Sequence, residues 1–275
     1  MPPLETSARR VKFASGRDRV ELAGIIDCPT VRPAGGPVAV FSHCFTCNKD
    51  FKATVRISRA LAAQGVSVLR FDMTGLGGSG GHFAESNFST NLNDLAAAIR
   101  FADTELGPVT ALLGHSFGGL AALVTASRAN SGDPSLPLED LGFVGTLAAP
   151  SDTLHLASLL LKLAPSLETE GVGSVTIGGI SWEIKRQMVE DFRGQRVTDE
   201  LPKIACPVLL MHSPEDQTVA FDHALRLMSL IQQSGPRIQP VSLVSLDGAD
   251  HLLVKNSRDL DFASSVLAAW CERYA

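Results

Sequence analysis

The sequence predicts an α/β protein built on a mostly parallel sheet, and three observations carry that expectation. Short β-branched and aliphatic runs recur along the chain, segments with helical periodicity separate them, and size and composition suit one packed domain. At 275 residues, with 45% hydrophobic and 19% charged residues, the chain can bury a large core and is too apolar for intrinsic disorder.

The first two runs, 11–14 and 20–26, flank Ser15-Gly16-Arg17-Asp18 and predict an opening antiparallel hairpin. Six more, at 38–41, 66–71, 109–113, 143–147, 208–211 and 241–246, bring the sheet to eight strands flanked by helices. Among the helical segments, 91–106 places Leu92, Leu95, Ile99 and Ala102 on one face, and 221–233 carries Leu225, Met228 and Leu230. Ser257, followed by Asp259 and Asp261, starts a last helix that ends near 273. Residues 151–201 break the alternation with an apolar helical segment, a glycine-rich stretch at 171–179 and then 182–192. This predicts a small lid inserted after the sixth strand, the core being formed by 1–150 and 202–275.

The 24 Lys and Arg against 29 Asp and Glu give a net charge of -5, with no basic block to neutralise a run of phosphates, so nucleic acid is not an expected partner. The N-terminal segment, beginning Met1-Pro2-Pro3-Leu4-Glu5, lacks the apolar stretch of a signal peptide. The most apolar later segment, 154–163, is too short to span a bilayer and carries Lys162. A cytoplasmic protein with no membrane span is expected. Five cysteines, with only Cys44 and Cys47 close together, do not form a secreted disulfide framework, and reduced thiols are expected. Cys28, Cys206 and Cys271 supply no second pair for a zinc ribbon, so neither metal nor cofactor is expected.

The strongest chemical signal is Gly114-His115-Ser116-Phe117-Gly118-Gly119, between the run at 109–113 and an Ala- and Leu-rich helix. This is a G-x-S-x-G turn in strand-turn-helix context: the glycines permit close backbone approach, and the strained turn lifts the serine hydroxyl above the sheet. A serine hydroxyl needs a base, and the base needs a carboxylate to hold its tautomer. With chain order Ser, acid, His, the base is His251, in Leu246-Asp247-Gly248-Ala249-Asp250-His251, and the favoured acid is Asp216, after the seventh strand. Asp152 and Glu215 are its rivals. His155 and His223 fall in helical stretches, and His212 at a strand end reads as structural. A tetrahedral intermediate needs backbone N–H donors, here Phe117 and, from the loop after the third strand, Phe45. His115 and Cys44 beside these amides, with Trp182 and Met188 in the lid, are the candidate substrate contacts. The stripe Leu156, Leu159, Leu160 and Leu163 reads mainly as packing.

Through Phe41-Ser42-His43, Asp72-x-x-Gly75-x-Gly77-x-Ser79-x-Gly81, the elbow, the Asp216 loop and His251, the sequence resembles the α/β-hydrolase superfamily over nearly its whole length. More narrowly, His43-Cys44-Phe45-Thr46-Cys47-Asn48-Lys49-Asp50, the segment 71–81, His212-Ser213-Pro214 and the segment 245–251 are similar to the hydrolase module that many bacteria fuse to an OsmC-type domain. The superfamily's usual His-Gly is His43-Cys44 here. A free thiol at Cys44 would let alkylation block the site.

The resemblance implies the α/β-hydrolase fold and a serine hydrolase that cleaves carboxylic esters or thioesters through an acyl-enzyme on Ser116. Its expected partner is a small acyl ester, and a separate OsmC-type protein or a second copy of the chain is a further candidate. An amidase or peptidase would use the same triad, and a non-catalytic ligand-binding homologue is the rival from another class. A dehalogenase is disfavoured, because that chemistry places aspartate where the elbow has serine.

Overall fold

The computed structural model describes residues 3–16, 20–233 and 240–275. Arg17 and Asp18 of the expected hairpin turn lie outside the described residues. Eight strands form one sheet: β1 (Thr6–Ala14), β2 (Glu21–Pro29), β3 (Val38–Ser42), β4 (Ser67–Phe71), β5 (Ala111–His115), β6 (Phe143–Leu147), β9 (Val208–His212) and β10 (Val241–Ser245). Their spatial order is β1-β2-β4-β3-β5-β6-β9-β10. β1 pairs antiparallel with β2 and β2 antiparallel with β4, while every later pairing is parallel. The mostly parallel sheet is the one expected from the alternation of runs, and the whole is the α/β-hydrolase fold that the resemblance implied. β1 is longer than the apolar run at 11–14 because its first half, Thr6 to Arg10, lies exposed at the sheet edge and needs no apolar side chains.

Both faces of the sheet are covered, which is why the central strands read as continuous apolar runs. Period-two alternation splits each strand between two cores: Val40, Leu69, Leu112, Val144 and Leu210 face one side, and Phe41, Val68, Leu113, Phe143 and Leu209 face the other. The first side is covered by α2 (Phe88–Leu106), α3 (Phe117–Asn130) and α8 (Asp222–Gln232), the second by α1 (Lys52–Ala62) and α9 (Ser257–Tyr274). Leu92, Leu95, Ile99 and Ala102 of α2 are all buried, as their spacing predicts. In α8 the buried face is Ala224, Leu227 and Ile231, and Leu225 is exposed, which corrects the expected face. A small alanine supplies the inward position there, and a hydropathy pattern weighs it less than the outward leucine. The cap of α9 is Asn256, whose side chain accepts the Arg258 N–H, one residue before the expected Ser257.

Residues between β6 and β9 form α4 (Leu154–Leu163), α5 (Ser166–Thr169), the hairpin β7 (Val172–Ile177) and β8 (Ile180–Lys185), α6 (Arg186–Gly194) and α7 (Val197–Glu200). The hairpin turns through Gly178 and Gly179, at φ 61° and 80°, a backbone that glycine adopts without strain. The glycine-rich stretch is therefore a turn between two strands that composition alone did not reveal. Gln187 of α6 donates to the Ala84 and Ser86 carbonyls at 3.1 Å each, and Lys185 pairs with Glu85. The insertion is thus stitched to the segment before α2. Among the described residues, no helix is long and apolar enough to cross a membrane.

Asp94 of α2 accepts the Thr74 N–H at 2.8 Å, tying the helix to the segment after β4, and burial pushes its carboxyl up to about 6. A carboxyl raised in the fold ionises first in the unfolded chain. Its stabilising contribution is therefore whole below about pH 4 and declines as pH rises toward 6. Asp94→Asn should gain on the natural protein as pH rises from about 4 to 7, by on the order of 1–2 kcal/mol. Thermal unfolding of both proteins across that range checks the sign; a constant difference would contradict it.

Candidate active site

Ser116 stands between β5 and α3 at φ 54° and ψ −120°, a region that L residues avoid. Its surroundings explain the two flanking glycines. A Cβ on Gly114 would collide with the Gly118 carbonyl, and one on Gly118 would collide with the carbonyls of Ser42 and His43. The close packing that excludes side chains here also presses the loop after β3 against the first turn of α3. Ser116 N–H donates to Leu147 O at 2.7 Å, holding the turn against β6.

The parallel strands bring the other groups to the same edge. His251, after β10, meets the Ser116 Oγ through Nε2 at 3.0 Å and the Asp216 Oδ2 through Nδ1 at 2.7 Å. An ionised carboxylate only accepts, so Nδ1 carries the proton and Nε2 accepts from the serine hydroxyl. Asp216, after β9, is held in turn: its Oδ1 accepts the Thr218 and Val219 N–H groups at 2.8 and 2.9 Å. Burial opposes its charge, yet hydrogen bonds from His212, His251 and Val219 outweigh that and keep its carboxyl well below the ordinary carboxylate range. Asp152 instead pairs with Arg226 at 3.0 Å, and Glu215 accepts the Gly248 N–H at 2.9 Å. His212 donates to the Val219 carbonyl at 2.8 Å and supports the Asp216 loop.

The segment after β3 is strapped at both ends to the segment after β4. The buried His43 accepts the Met73 N–H through Nε2 at 3.1 Å, and Lys49 donates to Asp72 from its N–H at 2.6 Å and from Nζ at 2.8 Å. Asp72 also accepts the Gly78 N–H, and a Cβ on Gly77 (φ 53°) would strike the Asp72 carboxylate. The Asp72-x-x-Gly75-x-Gly77 spacing is thereby explained. Phe45 and Phe117 meet edge to face at 5.5 Å between ring centres, and among the described residues neither backbone N–H has a protein acceptor.

His115 is buried, and its Nε2–H donates to the His251 carbonyl at 2.7 Å, while burial lowers its pKa to about 3. The expected substrate contact is corrected: His115 is a neutral prop beneath His251. Cys44 is bonded to Cys47, with Cα atoms 5.2 Å apart, so the expected free thiols are corrected too. The tight turn supplies a geometry that spacing in the sequence only hints at. Met188 is fully buried in the core of the insertion, and Trp182 leans on Phe83 at 4.9 Å between ring centres. Phe192 of α6 instead touches both Phe45 and Phe117, at 6.0 and 5.2 Å between ring centres. Its i, i+4 spacing from Met188 is the signal in the sequence that the two share one face of the helix. Two open hollows, about 660 and 520 Å³, lie beside Arg32–Val38 and Arg10–Lys12, and neither is lined by Ser116, Asp216 or His251.

Set beside known proteins, residues 39–264 match the alpha/beta hydrolase family. The chain is 37% identical to the esterase domain of a Rhodothermus marinus protein, covering 98% of this chain and 99% of that one with a TM-score of 0.73. It is 21% identical to Est1E from Butyrivibrio proteoclasticus, whose structure holds ferulic acid, covering 96% and 98% with a TM-score of 0.79; this likeness speaks to the fold. It is also 24% identical over 233 residues to lysophosphatidylserine lipase ABHD12 of Danio rerio, covering 82% of this chain. The present chain spans 56% of that relative.

Iodoacetamide in the absence of reductant should modify Cys28 at most, because burial pushes the thiols of Cys206 and Cys271 up to about 12. After treatment with a thiol reductant, Cys44 and Cys47 should join the alkylated peptides. Labelling of either one before reduction would contradict the bond.

Proposed function

The chain belongs to the alpha/beta hydrolase family, and from that premise we propose that it is a serine hydrolase cleaving carboxylic esters or thioesters through an acyl-enzyme on Ser116. One observation carries the reading: the unbroken hydrogen-bonded line Ser116 Oγ, His251, Asp216, with the serine on a strained turn at a helix N-terminus.

In this mechanism the Ser116 Oγ attacks the acyl carbon while His251 Nε2 takes its proton. Asp216 stabilises the imidazolium and holds its tautomer. The oxyanion receives the N–H groups of Phe117 and Phe45, the former backed by the dipole of α3. His251 then returns the proton to the leaving alcohol or thiol. Water, deprotonated by the same imidazole, releases the acid and restores Ser116. No metal or cofactor is required for these steps.

Residues 151–201 act as the lid of the 1–150 and 202–275 core, and Phe192, rather than the expected Trp182 and Met188, shapes the acyl side of the pocket. The contacts of Phe192 with Phe45 and Phe117 support that role. The narrower likeness to OsmC-linked hydrolase modules makes an OsmC-type protein a partner to seek by co-purification.

A fluorophosphonate probe followed by peptide mapping tests the reading. Ser116 should be the labelled residue, Ser116→Ala should remove labelling, and kcat on p-nitrophenyl esters should drop at least about a thousandfold. A well-folded protein that neither labels nor hydrolyses acetyl to long acyl esters would instead be a ligand-binding homologue.

A further inference from the structure

Phe45 is the first residue inside the turn closed by Cys44 and Cys47, and that position constrains its backbone in a specific way. The Phe45 N–H and the Cys44 C=O belong to one planar peptide unit and point in opposite directions. Whatever aims the carbonyl therefore aims the amide. The Cys44 carbonyl is held from two sides, accepting His43 Nδ1–H at 2.7 Å and the Cys47 N–H at 3.1 Å. His43 is itself fixed, since its Nε2 accepts the Met73 N–H and the ring is buried. The disulfide adds a covalent closure across the same turn.

We propose that the Cys44–Cys47 disulfide, together with His43, is a positioning clamp that aims the Phe45 amide at the oxyanion, so that the redox state of the pair sets the rate of hydrolysis. The proposal rests on the reading of Phe45 as an oxyanion donor. Cys44 is buried and Cys47 half-buried, so Cys47 is the end at which a reductant is expected to attack. A dithiol reductant attacks there, the S–S bond breaks, and Cys44 leaves as a thiolate that takes up a proton. The second thiol of the reductant then displaces Cys47, and the reagent departs as its cyclic disulfide with two electrons transferred. The reduced turn keeps the hydrogen bond from Cys47 N–H but loses its covalent closure, and the peptide plane gains freedom to rotate. An oxyanion contact strengthens in the transition state, so the loss falls on kcat and not on KM.

The test uses the full chain with a short-acyl p-nitrophenyl ester, comparing untreated protein with protein reduced by dithiothreitol, the state of each verified by alkylation and mapping. Reduction should lower kcat about tenfold, a fraction of what losing a whole donor costs, with KM within about twofold. Reoxidation with glutathione disulfide should restore it. The double variant Cys44→Ser/Cys47→Ser should show the reduced rate and ignore dithiothreitol, and His43→Gln should lower kcat with little change in KM. A tetrahedral trifluoromethyl ketone should bind the reduced form more weakly in the same proportion. Equal kcat in both redox states, or a change carried by KM, overturns the clamp while leaving the hydrolase reading intact, provided untreated protein labels at Ser116. Untreated protein that does not label overturns both.

Discussion

Ser116 holds a backbone conformation that costs an L residue on the order of 1–3 kcal/mol, and it stays there because β5, the start of α3 and the end of β3 are packed too closely to relax. That close approach runs through glycine. Without side chains at Gly114 and Gly118, the carbonyls of Ser42 and His43 press against the turn, and the loop after β3 has only one place to go. One steric constraint thus sets both the height of the serine hydroxyl and the origin of the loop that faces it.

The remaining chemistry depends on parallel strand order. Ser42 lies beside Gly114, His115 beside Leu147, Leu147 beside Met211 and Ser245 beside His212, so loops far apart in sequence leave the sheet along one edge. His251 and Asp216 are then each held by neighbouring groups. His115 props the His251 backbone, His212 and two backbone amides hold the Asp216 carboxylate, and Asp250 closes the His251 loop by accepting the N–H groups of Val254 and Lys255. A buried and neutral histidine suits the first task, since a charge beneath His251 would disfavour the imidazolium that the proposed reaction requires.

The loop at 43–49 and the insertion are arranged around the same aromatic contacts. Phe45, Phe117 and Phe192 meet at tilted and edge-to-face angles, joining the loop after β3, α3 and α6 in one cluster next to the serine. Straps from His43 to Met73 and from Lys49 to Asp72 fix the loop, and Gln187 fixes the insertion to the segment before α2.

Much of this was legible in the residues themselves. Central strands announce themselves because burial on both faces demands continuous apolar runs, and the elbow does so because only glycine tolerates the contacts at 114 and 118. Ser116, His251 and Asp216 could be nominated, since strand order and loop chemistry are written locally. What sequence could not settle were matters of direction and distance. Asp152 and Glu215 are chemically equal to Asp216, and only the packed loops turn them toward Arg226 and Gly248. His115 looks like a substrate contact until the sheet buries it, and Leu225 looks like core until α8 turns it outward. The Cys44–Cys47 bond belongs to the same class, because whether two thiols meet depends on a backbone turn shaped by His43 and by the strands behind it. Local sequence determined which groups are available and roughly where the chain reverses; tertiary packing, which alone sets distances between residues remote in sequence, decided which of them face one another.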